Sequence, residues 1–183
     1  MKLTLLGVDP GIRDTGAVAL VLDFDNRKWN VVAKAWHGVT TNHGFNVVTD
    51  EEFLDEIAEF EQNLRGNGPL FSGVEAYRQR GMDVRQDQQM INLVQDIRAT
   101  VRGCKIVDNT GIKKVVTRDM LKLFGVARFR QATNHADLVS AARVALMRGI
   151  AEDGTNPLLS DFIHDNAVAM GERTWSLEST QIL

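Results

Sequence analysis

Three acidic residues, far apart in the chain, each stand where a predicted element begins or ends: Asp9, Glu75 and Asp137. Carboxylates gathered into one partly buried site repel one another and together imply a divalent cation. An oxygen-only ligand set favours Mg²⁺ or Mn²⁺ over zinc. Two such ions about 4 Å apart activate a water and stabilise the leaving oxygen in phosphodiester hydrolysis. Each acid also has a plainer reading. Asp9 begins Asp-Pro-Gly, which is common turn chemistry. Asp137 falls in the first turn of a predicted helix, where an acid offsets the dipole by a few tenths of a kcal/mol to about 1 kcal/mol.

The elements that must hold these acids follow from the pattern of apolar residues. Residues 3–8 are apolar, free of breakers and end at Pro10-Gly11, so they read as a buried strand with Asp9 at its mouth. Residues 17–22 return antiparallel, and 29–36 add a third strand after an Asp25-Asn26 turn. Residues 37–48 read as a loop, with His37 and His43 solvent-exposed. Thr49 caps a helix over 49–64, and Gly66 to Pro69 stops it. The fourth strand, 70–75, ends in Glu75. A right-handed crossover sets it parallel to the first and brings Asp9 and Glu75 out at neighbouring carboxyl ends.

Beyond the polar loop 76–84 comes a helix over 85–101 whose Met90, Ile91, Val94, Ile97 and Val101 form a stripe fit for core packing or for a dimer. A fifth strand over 105–107, a cationic helix over 110–124 and a helix from Thr133 or Asn134 to about Met147 follow. A last helix is expected over 157–172. The fold class is therefore α/β, with a five-stranded mixed sheet flanked by helices. Residues 1–149 read as one domain, and 150–183 as an acidic helical extension packed on it or trailing it.

The overall charge of −3 conceals an asymmetry. Residues 1–75 hold 6 Lys and Arg against 12 Asp and Glu, residues 76–149 hold 14 against 6, and residues 150–183 hold 1 against 6. A basic middle in an acidic protein suits a face that meets a polyanion, although solvated helix faces give the same count. No apolar run approaches the roughly 20 residues that cross a bilayer, and no signal-peptide pattern opens the chain, so the cytoplasm is the expected compartment. The single cysteine, Cys104, is expected to be buried and inert.

With VDPGIRDTG, VEAYRQRG and NHADLVSAA in hand, residues 3–149 resemble RuvC-type Holliday-junction resolvases of the RNase H-like superfamily. The first motif is similar to the family's DPG-x3-TG, the second to its acid-ended fourth strand, the third to its last acidic helix. The resemblance implies an RNase H-like fold and a Mg²⁺- or Mn²⁺-dependent endonuclease with about two ions. It implies paired nicks in four-way DNA by a homodimer joined near the 85–101 helix, in recombination or repair.

It further implies Asp9, Glu75 and Asp137 as metal ligands. The family's second acid in the last motif is replaced here: Asn134 or Ser140 stands at that spacing, His135 is a substitute, and Asp165 an outside alternative to Asp137. Lys114, or Lys113, is similar to the family's catalytic-side lysine, though an ordinary surface lysine fits as well. Tyr77, Arg78 and Arg80 correspond to the loop that reaches the junction, and Arg85, Lys113, Arg118, Arg128 and Arg130 supply phosphate contacts. Rival readings are a related nuclease for forks, flaps or RNA hybrids, a non-catalytic junction binder, and an ATP-binding relative of the sugar-kinase type. The last lacks the glycine and hydroxyl residues expected directly after Asp9.

Overall fold

The first two strands form because their side chains are apolar on both faces, and the third because β-branched and aromatic residues bury alternate positions with no breaker between them. In the computed structural model they are β1 (Lys2–Asp9), β2 (Asp14–Asp23) and β3 (Lys28–His37), paired as an antiparallel meander. The structure describes the chain except residues 39, 42–43, 46–50, 80, 82, 131, 133–134, 154, 158, 160–161 and 163–174. The predicted caps Thr49, Thr133 and Asn134, the loop residues His43 and Arg80, Asp165 and most of the expected last helix lie outside the described residues.

After α1 (Glu51–Arg65), β6 (Leu70–Glu75) pairs parallel with β1, with Val8 opposite Val74. This is the predicted crossover. Following α2 (Val84–Thr100), β7 (Lys105–Val107) extends the sheet parallel to β6. Asp83 caps α2 by accepting from the amides of Arg85 and Gln86, which fixes where the polar loop ends and the helix starts.

Four expectations are corrected. The sheet has six strands, not five, in the order β7-β6-β1-β2-β3-β8. The sixth, β8 (Ser176–Ile182), lies in the tail read as helical and pairs parallel with β3. Every β8 residue but Ile182 is exposed, so it carries no alternating apolar signal. Part of the 37–48 loop is a small hairpin of β4 (Thr40–Thr41) and β5 (Gly44–Phe45). The single helix expected over 110–124 is two: α3 (Ile112–Val115) and α4 (Arg118–Leu123). They part because Thr117 is extended and its hydroxyl accepts from the amide of Met120, a cap that Val115-Val116 ahead of it cannot override. Lastly, α5 (His135–Asp153) runs past Met147.

Alternate residues of the strands feed two cores. Leu3, Leu5, Val18, Leu20 and Trp29 pack under α4 and α5, while Leu6, Val8, Ala17, Ala19 and Val74 pack under α1 and α2. Burial on both faces contributes roughly 1.5–3 kcal/mol per large side chain. On α2, Met90, Leu93, Val94 and Ile97 are spent in this second core, which decides the stripe in favour of packing within one copy. The tail is stitched to the first core by rings: Phe162 lies 5.9 Å from Trp29, 5.1 Å from Phe124 and 5.0 Å from Trp175. The indole of Trp29 donates to the carbonyl of Phe124.

Glycines set how close α5 comes. A Cβ at Gly7 would strike the carbonyl of Ala141, and one at Gly16 would lie 2.8 Å from the backbone of Asp137. Gly16 is also the partner of Asp9 across the β1–β2 pair. The same glycine therefore seats the first turn of α5 beside the end of β1.

Candidate active site

At the carboxyl ends of β1 and β6, one residue beyond the Val8–Val74 pair, Asp9 and Glu75 emerge side by side. Neighbouring strands stand about 4.8 Å apart, and the two carboxyl groups hydrogen-bond to each other. Asp137, in the first turn of α5, faces the same cavity of about 660 Å³, as does Asp14, the first residue of β2.

Four acids share the cavity with two arginines, Arg13 and Arg78, and burial with acid neighbours dominates at Asp9. The carboxyl of Asp9 is pushed up to about 8, first by burial, then by the charge of Glu75 and its hydrogen bond, then by Asp137. A hydrogen bond from Ser140 opposes the shift. Asp137 is also raised, by burial first and by Asp14 next, with His37 acting the other way. His37 itself is exposed, as expected, and meets Asp14 with Nδ1 to Oδ1 at 3.0 Å.

The donor set suits a hard divalent cation, since the groups nearest one another offer only oxygen. An uncompensated carboxyl pair kept in place by two adjacent strands is what such a cation would relieve. Among the described residues, no three or more His, Cys, Asp or Glu side chains form a ready-made cage. Asp9 with Glu75 is thus the tight pair, and Asp137 the more distant third member.

The remaining predicted residues divide. Tyr77 and Arg78 line the carboxylate cavity. The Tyr77 ring packs on the second core and its hydroxyl donates to Asp87, while Asp87 also accepts from the amide of Gly81. Buried Asp87 therefore ties the loop after β6 to α2. Arg78 pairs with Asp108 at 3.2 Å, both exposed. Arg85 is exposed at the start of α2, and Lys113 and Lys114 are exposed on α3; none of the three lines the cavity. His135 is exposed, and its Nδ1 accepts from the amide of Phe129 at 3.3 Å, away from the cavity wall. Arg118, Arg128 and Arg130 line a separate groove. Cys104 is buried, which pushes its thiol up to about 11 and keeps it inert, as predicted.

Sequence reasoning passed over Asp14, although it stands inside VDPGIRDTG. A signal existed, because a tight hairpin after Asp9 has to return its first strand residues beside that acid. Ser140 was one of several residues left open for the third motif, and it touches Asp9 rather than Asp137.

No family model matches the chain, and no curated protein matches it. Among solved structures, it is similar to Thermus thermophilus RuvC in complex with a Holliday junction substrate: 15% identity, TM-score 0.49, covering 85% of this chain and 96% of that one. A second Thermus thermophilus RuvC structure gives 15% identity and a TM-score of 0.45 with the same coverage. The large terminase nuclease from the thermophilic phage G20c gives 11% identity and 0.46, covering 80% of this chain and 82% of that one. The likeness is one of chain path.

Proposed function

We propose that the chain is a divalent-metal-dependent endonuclease of RNase H-like fold that resolves four-way DNA junctions, acting as a homodimer in recombination or repair. The observation that carries this reading is the meeting of Asp9 and Glu75 at adjacent parallel strand ends, with Asp137 and Asp14 in the same cavity, where four acids face two arginines, Arg13 and Arg78. The order of strands and the motifs VDPGIRDTG and VEAYRQRG add to it.

Mg²⁺ or Mn²⁺ bound there supplies Lewis acidity toward phosphoryl oxygens. Asp9 and Glu75 would hold the cation from strands whose ends cannot separate without breaking the sheet, with Asp137 of α5 as the further ligand in the same cavity. Ser140 donates to Asp9 and favours its charged form. Arg78, at the cavity wall, and Tyr77 with it meet the DNA near the reacting phosphate. Lys114 stands outside the lining and serves as a phosphate contact. Paired nicks require two copies. The apolar stripe of α2 is not what joins them, because it is buried within one copy.

The test is to incubate labelled four-way junctions with Mg²⁺, with and without EDTA, and to map nicks on every strand against fork, flap and hybrid controls. Symmetric, EDTA-sensitive nicks on the junction alone are expected. A second reading, a junction binder that does not cut, draws on the lack of three converging ligands. Binding without any metal-dependent product would favour it.

A further inference from the structure

The basic residues that do not reach the carboxylates are not scattered. Arg118 and Lys122 of α4, with Arg128 and Arg130 of the loop after it, line one groove of about 580 Å³, whose other wall is Thr180 and Ile182 of β8. No acidic residue lines it among the described residues. Asp119 stands beside it and pairs with Lys122 at 2.8 Å, an exposed contact that water screens. Neither Arg128 nor Arg130 is in an ion pair among the described residues.

The groove is built rather than incidental. Phe129 is buried between two exposed arginines, so the loop is pegged into the core and shows Arg128 and Arg130 to the outside. Its amide is held by His135, the first residue of α5. At Gly125, φ is +72°, and a Cβ would strike Leu177 of β8. The loop is therefore clamped between α5 and β8.

Sheet order places the groove relative to the carboxylates. Asp9 ends β1, β2 and β3 follow, and β8 runs parallel to β3 with Ile182 opposite Ala33. Ile182 and Thr180 thus stand level with Gly7 and Leu5 of β1, three strands away, which puts the groove roughly 15–20 Å from Asp9 at 4.8 Å per strand. At 3.4 Å per step, that is about five or six base pairs along one DNA strand.

We infer that this groove is a second phosphate track, holding the backbone of a duplex DNA arm about five or six base pairs from the bond that is cut. The inference rests on the nuclease reading and deepens it. With the only groove-lining aromatic ring, that of Phe129, turned into the core, the groove grips backbone and not bases, so its binding is independent of sequence and of metal.

Anisotropy of a labelled four-way junction in EDTA, measured on the full chain over a range of salt, tests it. The double variant Arg128→Gln/Arg130→Gln should weaken binding on the order of tenfold and reduce the salt slope by about 1.8, at about 0.9 per lost phosphate contact. Arg128→Lys/Arg130→Lys should restore most of both. Arg98→Gln/Arg102→Gln, an equal charge change on exposed residues at the far end of α2, should stay within about twofold of the parent. Unchanged binding by the first variant overturns the inference, as does an equal loss in the Arg98/Arg102 control. So does a loss confined to junctions with single-stranded arms. A parent that binds with this pattern yet makes no metal-dependent cut overturns only the nuclease reading.

Discussion

One helix, α5, meets buried charge at both of its ends and treats it in opposite ways. Near its last turn, buried Arg148 lies across Gly73, donates to the carbonyl of Ser72 at 3.0 Å and pairs with Glu152 at 2.7 Å. Lys105 reaches Glu152 at 2.9 Å. These cations hold the Glu152 carboxyl down to about 2. Near the first turn, Asp9 has acids for neighbours and is pushed up to about 8. The helix and the sheet are the same, so the difference lies in what each end is for. Charge that serves the fold is neutralised within the chain. Charge left uncompensated in a partly buried cavity marks where something positive has to come from outside.

The hardest break of this comparison is Asp9→Asn. The substitution keeps the size and removes the charge, so metal-dependent junction cleavage should fall by on the order of 10²–10³-fold or more, read as initial rates. Junction binding should hold, because an anion docks more easily where repulsion has been relieved. Retained cleavage would remove Asp9 from the mechanism.

Breaking the other end should cost stability instead. Arg148→Met leaves Glu152 with two exposed partners, Lys105 and Thr155, and the Ser72 carbonyl without its donor, at a cost of about 2–3 kcal/mol. Since each kcal/mol is about 2–4 °C at this length, thermal melting should drop by roughly 4–12 °C, with cleavage by the folded fraction unchanged. A smaller effect is expected from Gly16→Ala, which pushes the first turn of α5 off β2 by a few tenths of an ångström. Cleavage should fall on the order of tenfold while the melting temperature moves by only a few degrees. A variant that loses stability and activity together would show that Gly16 merely supports packing.

How much of this was legible in the sequence depends on burial. β1 and β2 were readable because both faces are covered, so their residues are almost unbroken apolar runs, and β3 because buried residues alternate with half-exposed ones along it. β8 was not, since six of its seven residues are exposed and Glu178 answers Lys28 and Asn30 at the surface. The adjacency of Asp9 and Glu75 followed from pairing two strands in parallel across a helical crossover, which needs no side-chain detail. That Asp14 shares the cavity, and that Ser140 touches Asp9, depend on how closely glycines let α5 approach, which is tertiary information. The grouping of Arg118 with Arg128 and Arg130, apart from Lys114, likewise needed the break at Thr117 and the sixth strand.

The finest test sets the two carboxyls against each other on one pH axis, with EDTA present. Folded Asp9 keeps its proton up to about 8, whereas the unfolded chain releases it near 3.8, so between those values the folded state binds more protons and stability falls as pH rises. Asp9→Asn removes that loss. Its melting temperature should match the parent's near pH 4 and exceed it increasingly up to pH 8, and Mg²⁺ should narrow the gap by stabilising the parent more. Glu152 runs the other way. Its carboxyl ionises near 2 in the fold and near 4.5 when unfolded, so its contribution is complete above 4.5 and lost as pH falls through 2. Glu152→Gln should therefore melt below the parent at neutral pH and converge with it in acid. Parallel curves for both variants would mean that the two ends of α5 do not differ in charge compensation, and the case for a cation site at Asp9 would lose its electrostatic support.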